Sequence, residues 1–176
     1  EQTFTDLHSI SDERPVILVV DDTPIFLEKL KDLLDGVYRI DATTRPQTAL
    51  KWVEERNYDL VISDENMPEI CGHELLARLK EIQPGCMRFI MTAHGELNTA
   101  VQSINQGEVH YFVVKPWKNE ELLMAVHQAL EQKSMVQKLK SSDRETVMAL
   151  VDTLELKDRS TRGHYHRVAE LSLKVA

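Results

Sequence analysis

Short apolar runs alternate five times with segments whose apolar residues recur at helical spacing. The run VILVV at 16–20 ends in Asp21-Asp22. Thr23-Pro24 follows, an N-cap residue and a proline at the first helical position. Phe26, Leu27, Leu30, Leu33 and Leu34 then repeat as one face of a helix, and Gly36 stands where a C′ residue would close it. YRIDA at 38–42 is a weaker strand pattern, and Ala49, Leu50 and Val53 mark the next helix. DLVISD at 59–64 is a second continuous run, and Leu75, Leu76 and Leu79 mark a third helix that Pro84-Gly85 stops. MRFIMT at 87–92 precedes a helical pattern of Leu97, Ala100, Val101 and Ile104 that ends near Gly107. HYFVVKP at 110–116 is the last run. A continuous apolar run suits a strand buried on both faces. The alternation predicts βαβ units, and so an α/β fold: a doubly wound five-stranded parallel sheet, (βα)5, with helices on both faces.

The α/β pattern occupies residues 15–130, behind a polar leader at 1–14. From Asn119 no proline or glycine occurs until Gly163. Leu122, Val126, Ala129 and Val136 approach a 4-3 spacing that Lys133 and Lys140 interrupt. This predicts a long C-terminal helical extension: a linker helix over 119–145 that overlaps the last helix of the α/β domain. It is a candidate coiled coil and homodimer element. A further helical pattern begins near Thr146 with Val147, Leu150, Val151 and Leu154, and another covers 165–176. A chain that stops within such a pattern is expected to be part of a longer protein.

Charge is unevenly distributed. Residues 1–132 carry 12 Lys/Arg against 23 Asp/Glu, and residues 133–176 carry 9 against 6. An acidic first part argues against nucleic acid as its direct ligand and suits a cation. Two cysteines, Cys71 and Cys86, make no disulfide framework and fit a reduced, cytoplasmic setting. No run approaches membrane-spanning length, and the N-terminus has no apolar signal core, so no membrane association is expected.

In open parallel sheets, ligands bind outside the carboxyl ends of the strands. The first strand leaves Asp21 and Asp22 there, the third Asp64, the fourth Thr92 and the fifth Lys115. Three neighbouring carboxylates raise one another's pKa values, and a divalent cation removes that conflict. Mg²⁺ prefers oxygen ligands and takes phosphate as a usual co-ligand. A hydroxyl and an ammonium then remain for a phosphoryl group. The plainer reading, strand-end acids that merely cap turns, leaves Thr92 and Lys115 unexplained.

The stretches VVDD, SDENMP, MTAHG and VVKPW, in this order and on these strands, resemble the receiver domain of two-component response regulators. The resemblance implies a flavodoxin-like fold. It implies that Asp64 is the phosphoacceptor, a carboxylate nucleophile that takes its phosphoryl group from a sensor histidine kinase or phosphotransfer protein. Asp22 and Asp21 would hold Mg²⁺ together with Asp64 and the backbone carbonyl of Asn66. Lys115 and Thr92 would bind the phosphoryl oxygens. Thr92 and Phe112 would form the switch pair, with Phe112 where tyrosine is common, and Asn66 and His94 would tune the lifetime of the phosphate. The Lys115–Pro116 peptide matches one that is cis in this family. Such a chain is a phosphoacceptor, open to self-dephosphorylation, and not an enzyme in its own right. A receiver-like interaction module that works without phosphorylation is the alternative. A phosphatase of the haloacid dehalogenase type would need Asp-x-Asp after the first strand, where this chain has Asp-Asp-Thr-Pro.

The tail, 150–176, is similar to the opening helices of HD-GYP domains, which hydrolyse cyclic di-GMP. Asp158, Thr161, Gly163, His164, Arg167 and Val168 carry that likeness. It implies that 146–176 begins an incomplete phosphodiesterase output domain. A DNA-binding or kinase output is the alternative. His164 and His166 are read as surface and packing residues before metal ligands, and His8, His73, His110 and His127 as surface residues.

Overall fold

The computed structural model describes residues 14–93 and 109–157. The polar leader apart from Arg14, the helix expected near 97–107, His94 and the tail from 158 lie outside the described residues. Five strands form one parallel sheet: β1 Val16–Val20, β2 Arg39–Thr43, β3 Leu60–Asp64, β4 Met87–Ala93 and β5 Tyr111–Lys115. Their order is β2-β1-β3-β4-β5. The described helices are α1 Pro24–Leu34, α2 Pro46–Glu55, α3 Gly72–Ile82 and α4 Asn119–Lys157. This is the flavodoxin-like order, and the chain reverses direction across the sheet between β1 and β3, where a crevice opens at the strand ends.

Burial explains which strands were easy to read. β3 is buried at every position, and β1 at all but its first. β2 is an edge strand, exposed at Arg39 and half-buried after it, so it carries polar residues. Its Asp41 accepts hydrogen bonds from Tyr58 Oη at 2.7 Å and from Arg56 at 2.9 Å. β5 is the other edge, and Tyr111 on it is exposed.

Successive β1 side chains point to opposite faces. Ile17 and Val19 pack with Leu27, Leu30 and Leu34 of α1 and with Leu122, Val126 and Leu130 of α4. Leu18 and Val20 pack with Ala49 and Val53 of α2 and with Leu75, Leu76 and Leu79 of α3. Each fully buried leucine of this kind contributes roughly 2 kcal/mol.

Two local expectations differ from the structure. Thr23 occupies the N-cap position with Pro24 after it, but its side chain makes no capping bond. Its hydroxyl donates to Asp22 Oδ1 at 3.1 Å instead. The pattern taken to restart near Thr146 is not a new helix, because α4 runs unbroken to Lys157.

The chain divides into two compact units, Glu1–Lys133 and Ser134–Ala176. In the first, Lys133 Nζ lies 2.7 Å from Asp59 Oδ1 and donates to the Tyr58 carbonyl. Asp59 Oδ2 accepts the Val16 N–H at 2.8 Å. The lysine that breaks the apolar seam is thus tied to the start of the sheet. In the second, Met135, Val136 and Leu139 are exposed. No helix among the described residues is long and apolar enough to cross a membrane.

Candidate functional site

Asp21 follows β1 directly, and its side chain is fully buried. A charge at such depth needs partners. Asp21 Oδ1 accepts the Thr23 N–H at 2.9 Å, and Lys115 Nζ lies 2.8 Å from Oδ2. The same ammonium lies 2.6 Å from Asp64 Oδ1. It also sits 4.3 Å from the centre of the Phe26 ring, whose face favours a cation. Phe26 in turn meets Trp117, ring centres 5.8 Å apart. Lys115 from one edge strand therefore bridges carboxylates delivered by β1 and β3.

Asp64, the last residue of β3, is 7% exposed. Burial pushes its carboxyl pKa up. The Lys115 hydrogen bond and charge oppose that shift, and the charges of Asp21 and Asp22 add to it. For Lys115, burial is the largest single influence and pulls the pKa down. The hydrogen bonds and charges of Asp21 and Asp64 together outweigh it, and the net shift is upward.

Asp21, Asp22 and Asp64 each offer an oxygen within 4.8 Å of the others. Oxygens bound at Mg²⁺ distances in an octahedron stand about 3 to 4 Å apart, so a small inward movement of an all-oxygen set fits a hard cation. Asp22 is not buried, which leaves an approach to that set. Thr92 lies on β4 one residue beyond Met91, the partner of Asp64, and its buried hydroxyl donates to the Ala93 carbonyl at 3.3 Å. The Lys115–Pro116 peptide is cis. Phe112 is half-buried and stacks on Tyr111 with ring centres 6.2 Å apart.

Backbone packing fixes the nucleophile candidate. The Ser63 hydroxyl donates to the Asp64 carbonyl at 3.0 Å. Gly72, at the start of α3, lies so close that a Cβ there would sit 2.2 Å from the same oxygen.

Three side chains have partners that the sequence does not suggest. His73 is no isolated surface residue: its Nδ1 lies 2.6 Å from Glu65 Oε1. Glu65 itself, 7% exposed beside Asp64, was not singled out. His110 Nδ1 accepts the Arg88 N–H at 3.1 Å. His164 and His166 lie outside the described residues.

A family profile for the response regulator receiver domain matches residues 17–127. Transcriptional regulatory protein GlrR of Escherichia coli is 37% identical over 117 residues, covering 66% of this chain and 26% of that protein. Hydrogenase transcriptional regulatory protein HoxA of Bradyrhizobium diazoefficiens is 26% identical over 160 residues, 91% of this chain and 30% of that protein. Among solved structures, the signal receiver domain of an HD domain-containing protein from Pseudomonas fluorescens Pf-5 is 35% identical. It has a TM-score of 0.67 and covers 71% of this chain and 93% of that one. The chain belongs to the response regulator receiver family. It spans about a quarter of the length of the first curated relatives it matches. The expectation of a cyclic di-GMP phosphodiesterase output is not supported by these relatives, whose names are those of transcriptional regulators.

Proposed function

We propose that this chain is the phosphorylation switch of a two-component response regulator, with Asp64 as phosphoacceptor. The observation that carries the reading is Lys115 Nζ at 2.6 Å from Asp64 and 2.8 Å from Asp21. An ammonium held there is placed to neutralise oxygens added to Asp64.

In the reaction, an Asp64 carboxylate oxygen attacks the phosphorus of a phosphohistidine on a histidine kinase or phosphotransfer protein. A P–O bond forms, the P–N bond breaks, and the electron pair returns to the imidazole nitrogen. Asp21, Asp22, Asp64 and the Asn66 carbonyl would hold Mg²⁺, which supplies charge neutralisation for the transferring group. Lys115 pairs with the arriving oxygens, and Thr92 donates to one of them. The acyl phosphate adds about −1.5 to −2 charge at this site. Thr92 and Phe112 read that change, and His94 and Asn66 set how long it lasts.

The curated relatives bear on the output. Their names support transcriptional regulation in the longer protein. One observation favours a second reading. The Pseudomonas receiver belongs to an HD domain-containing protein, and residues 158–168 carry the likeness to such domains. Sequence beyond residue 176 separates the two: a His-Asp pair followed by Gly-Tyr-Pro identifies the phosphodiesterase. A homodimer across Met135, Val136 and Leu139 is the role proposed for the linker, and sedimentation of the wild type against Val136→Lys with Leu139→Lys tests it.

The central test is incubation with Mg²⁺ and acetyl phosphate followed by intact mass. One phosphoryl group on the wild type and none on Asp64→Asn is expected. An unmodified wild type that also fails to bind beryllofluoride overturns the reading in favour of a phosphorylation-independent interaction module.

A further inference from the structure

The loop 66–71 joins β3 to α3 and contains Asn66, the carbonyl ligand of the functional reading on which this inference rests. Two features make that loop costly to hold. Glu69 has φ 74°, a left-handed conformation. For a residue with a Cβ this costs about 1–2 kcal/mol, and it persists only where the surroundings determine it. The close approach of Gly72 to the Asp64 carbonyl also leaves no slack where the loop returns.

Glu65 spans both ends of this loop. Its N–H donates to the Met91 carbonyl at 2.9 Å, which ties it to β4. Its own carbonyl accepts the Gly72 N–H at 2.9 Å. Its side chain then reaches α3: Oε2 accepts the His73 N–H at 3.1 Å, and Oε1 lies 2.6 Å from His73 Nδ1. Three contacts thus connect Glu65 to residues 72 and 73, across six loop residues. Met67, 7% exposed in the same loop, is the apolar anchor between them. A buried carboxylate on the residue after the nucleophile candidate would be a poor choice for packing alone, since an apolar side chain avoids its desolvation cost. The hydrogen bonds give it a purpose.

We propose that Glu65, with His73, is a positioning residue for the cation: it clips the loop shut so that Asn66 is held ready as a ligand. Partners that orient metal ligands typically change metal affinity by 10–100-fold when removed.

The test compares the 176-residue wild type with Glu65→Ala, Glu65→Gln and His73→Ala. Mg²⁺ affinity is read by calorimetry, and the Mg²⁺ dependence of acetyl phosphate labelling is read separately. Glu65→Ala is expected to bind Mg²⁺ about 10-fold more weakly, with half-saturation of labelling moved by the same factor and the maximal rate at saturating Mg²⁺ little changed. Glu65→Gln keeps an acceptor for the His73 N–H and recovers most of the affinity. His73→Ala keeps that main-chain bond, loses the ring contact and falls between wild type and Glu65→Ala. A purely structural role lowers the unfolding midpoint and leaves Mg²⁺ affinity unmoved. That outcome, in whichever of Glu65→Ala and His73→Ala folds, overturns the proposal. A wild type that neither binds Mg²⁺ nor takes a phosphoryl group overturns the functional reading instead, before any variant is compared.

Discussion

Asp64→Asn is expected to stabilise the protein in a chelator and to remove most of its response to Mg²⁺. The carboxyl of Asp64 has a raised pKa in the folded chain, first because it is buried and then because Asp21 and Asp22 are charged nearby. A carboxyl with a raised folded pKa holds its proton more tightly folded than unfolded. Stability from this group is therefore highest below the unfolded value and falls as pH rises towards the folded one, so at neutral pH its charge is a cost. Carboxylate oxygens no more than 4.8 Å apart repel by about 3 kcal/mol or more per pair at an effective dielectric constant of 20. The Lys115 ammonium at 2.6 Å offsets most of this. Burial plus two repulsions against one attraction leaves a net cost of about 1–2 kcal/mol. Asparagine keeps the shape, and Lys115 retains Asp21 as partner at 2.8 Å.

The assay is urea unfolding at pH 7.5 with EDTA, followed by tryptophan emission. Both tryptophans, Trp52 and Trp117, lie in the first compact unit, so the signal reports that unit alone. With m of about 1–2 kcal/mol/M, the variant's midpoint should rise by about 1 M. Mg²⁺ at a hundred times its dissociation constant should then stabilise the wild type by about 2.7 kcal/mol and the variant by much less. The order of the two midpoints reverses. A variant less stable than wild type in EDTA, or an equal gain from Mg²⁺ in both, would refute the account of Asp64 as a charge held at a cost for a cation.

Other consequences are local. Gly72→Ala places a methyl 2.2 Å from the Asp64 carbonyl, backbone against backbone; it should lower stability by about 1–3 kcal/mol and slow acetyl phosphate labelling, and a variant with wild-type midpoint and rate contradicts the packing argument. Lys133→Met removes the tie to Asp59 at 2.7 Å and should cost about 1 kcal/mol, with the loss shrinking in high salt; a double-mutant cycle with Asp59→Asn measures the coupling. Cys86 is 2% exposed and burial pushes its thiol up to about 12, whereas Cys71 is half-buried with its thiol raised by burial and then by Glu74. A thiol reagent at pH 8 should titrate one cysteine slowly in the folded protein and both in urea, and rapid labelling of two in the folded state contradicts this burial.

Much of the fold was readable because buried parallel strands and amphipathic helices leave periodic marks. The runs ending in Asp21-Asp22 and Asp64 are apolar throughout because both faces of β1 and β3 are covered. β2 was harder to read. As an edge strand it carries Arg39 and Asp41, and its acid serves Tyr58 and Arg56, far away in sequence. The unbroken course of α4 through Thr146 was hidden because the apolar spacing shifts phase there while no residue breaks the helix. The polar interruption at Lys133 looked like a defect in a seam. It is an ion pair with a residue 74 positions earlier, and no window along the helix contains its partner.

The candidate site divides in the same way. Asp21, Asp22, Asp64, Thr92 and Lys115 could be placed together because strand ends of a parallel sheet converge by topology, so the position of each in its own strand is enough. Glu65 could not. Average tendencies place a glutamate in solvent, and its partner His73 lies eight residues on, across a loop through which no strand or helix periodicity runs. The contact exists only because the loop between them returns, and the loop returns because Gly72 has no Cβ to meet the Asp64 carbonyl. The sequence carries each of these parts, an acid after the nucleophile candidate, a glycine seven residues later and a histidine next to it. Their connection is a property of loop closure, and the residue that closes the loop is the one that local rules of burial assign to the surface.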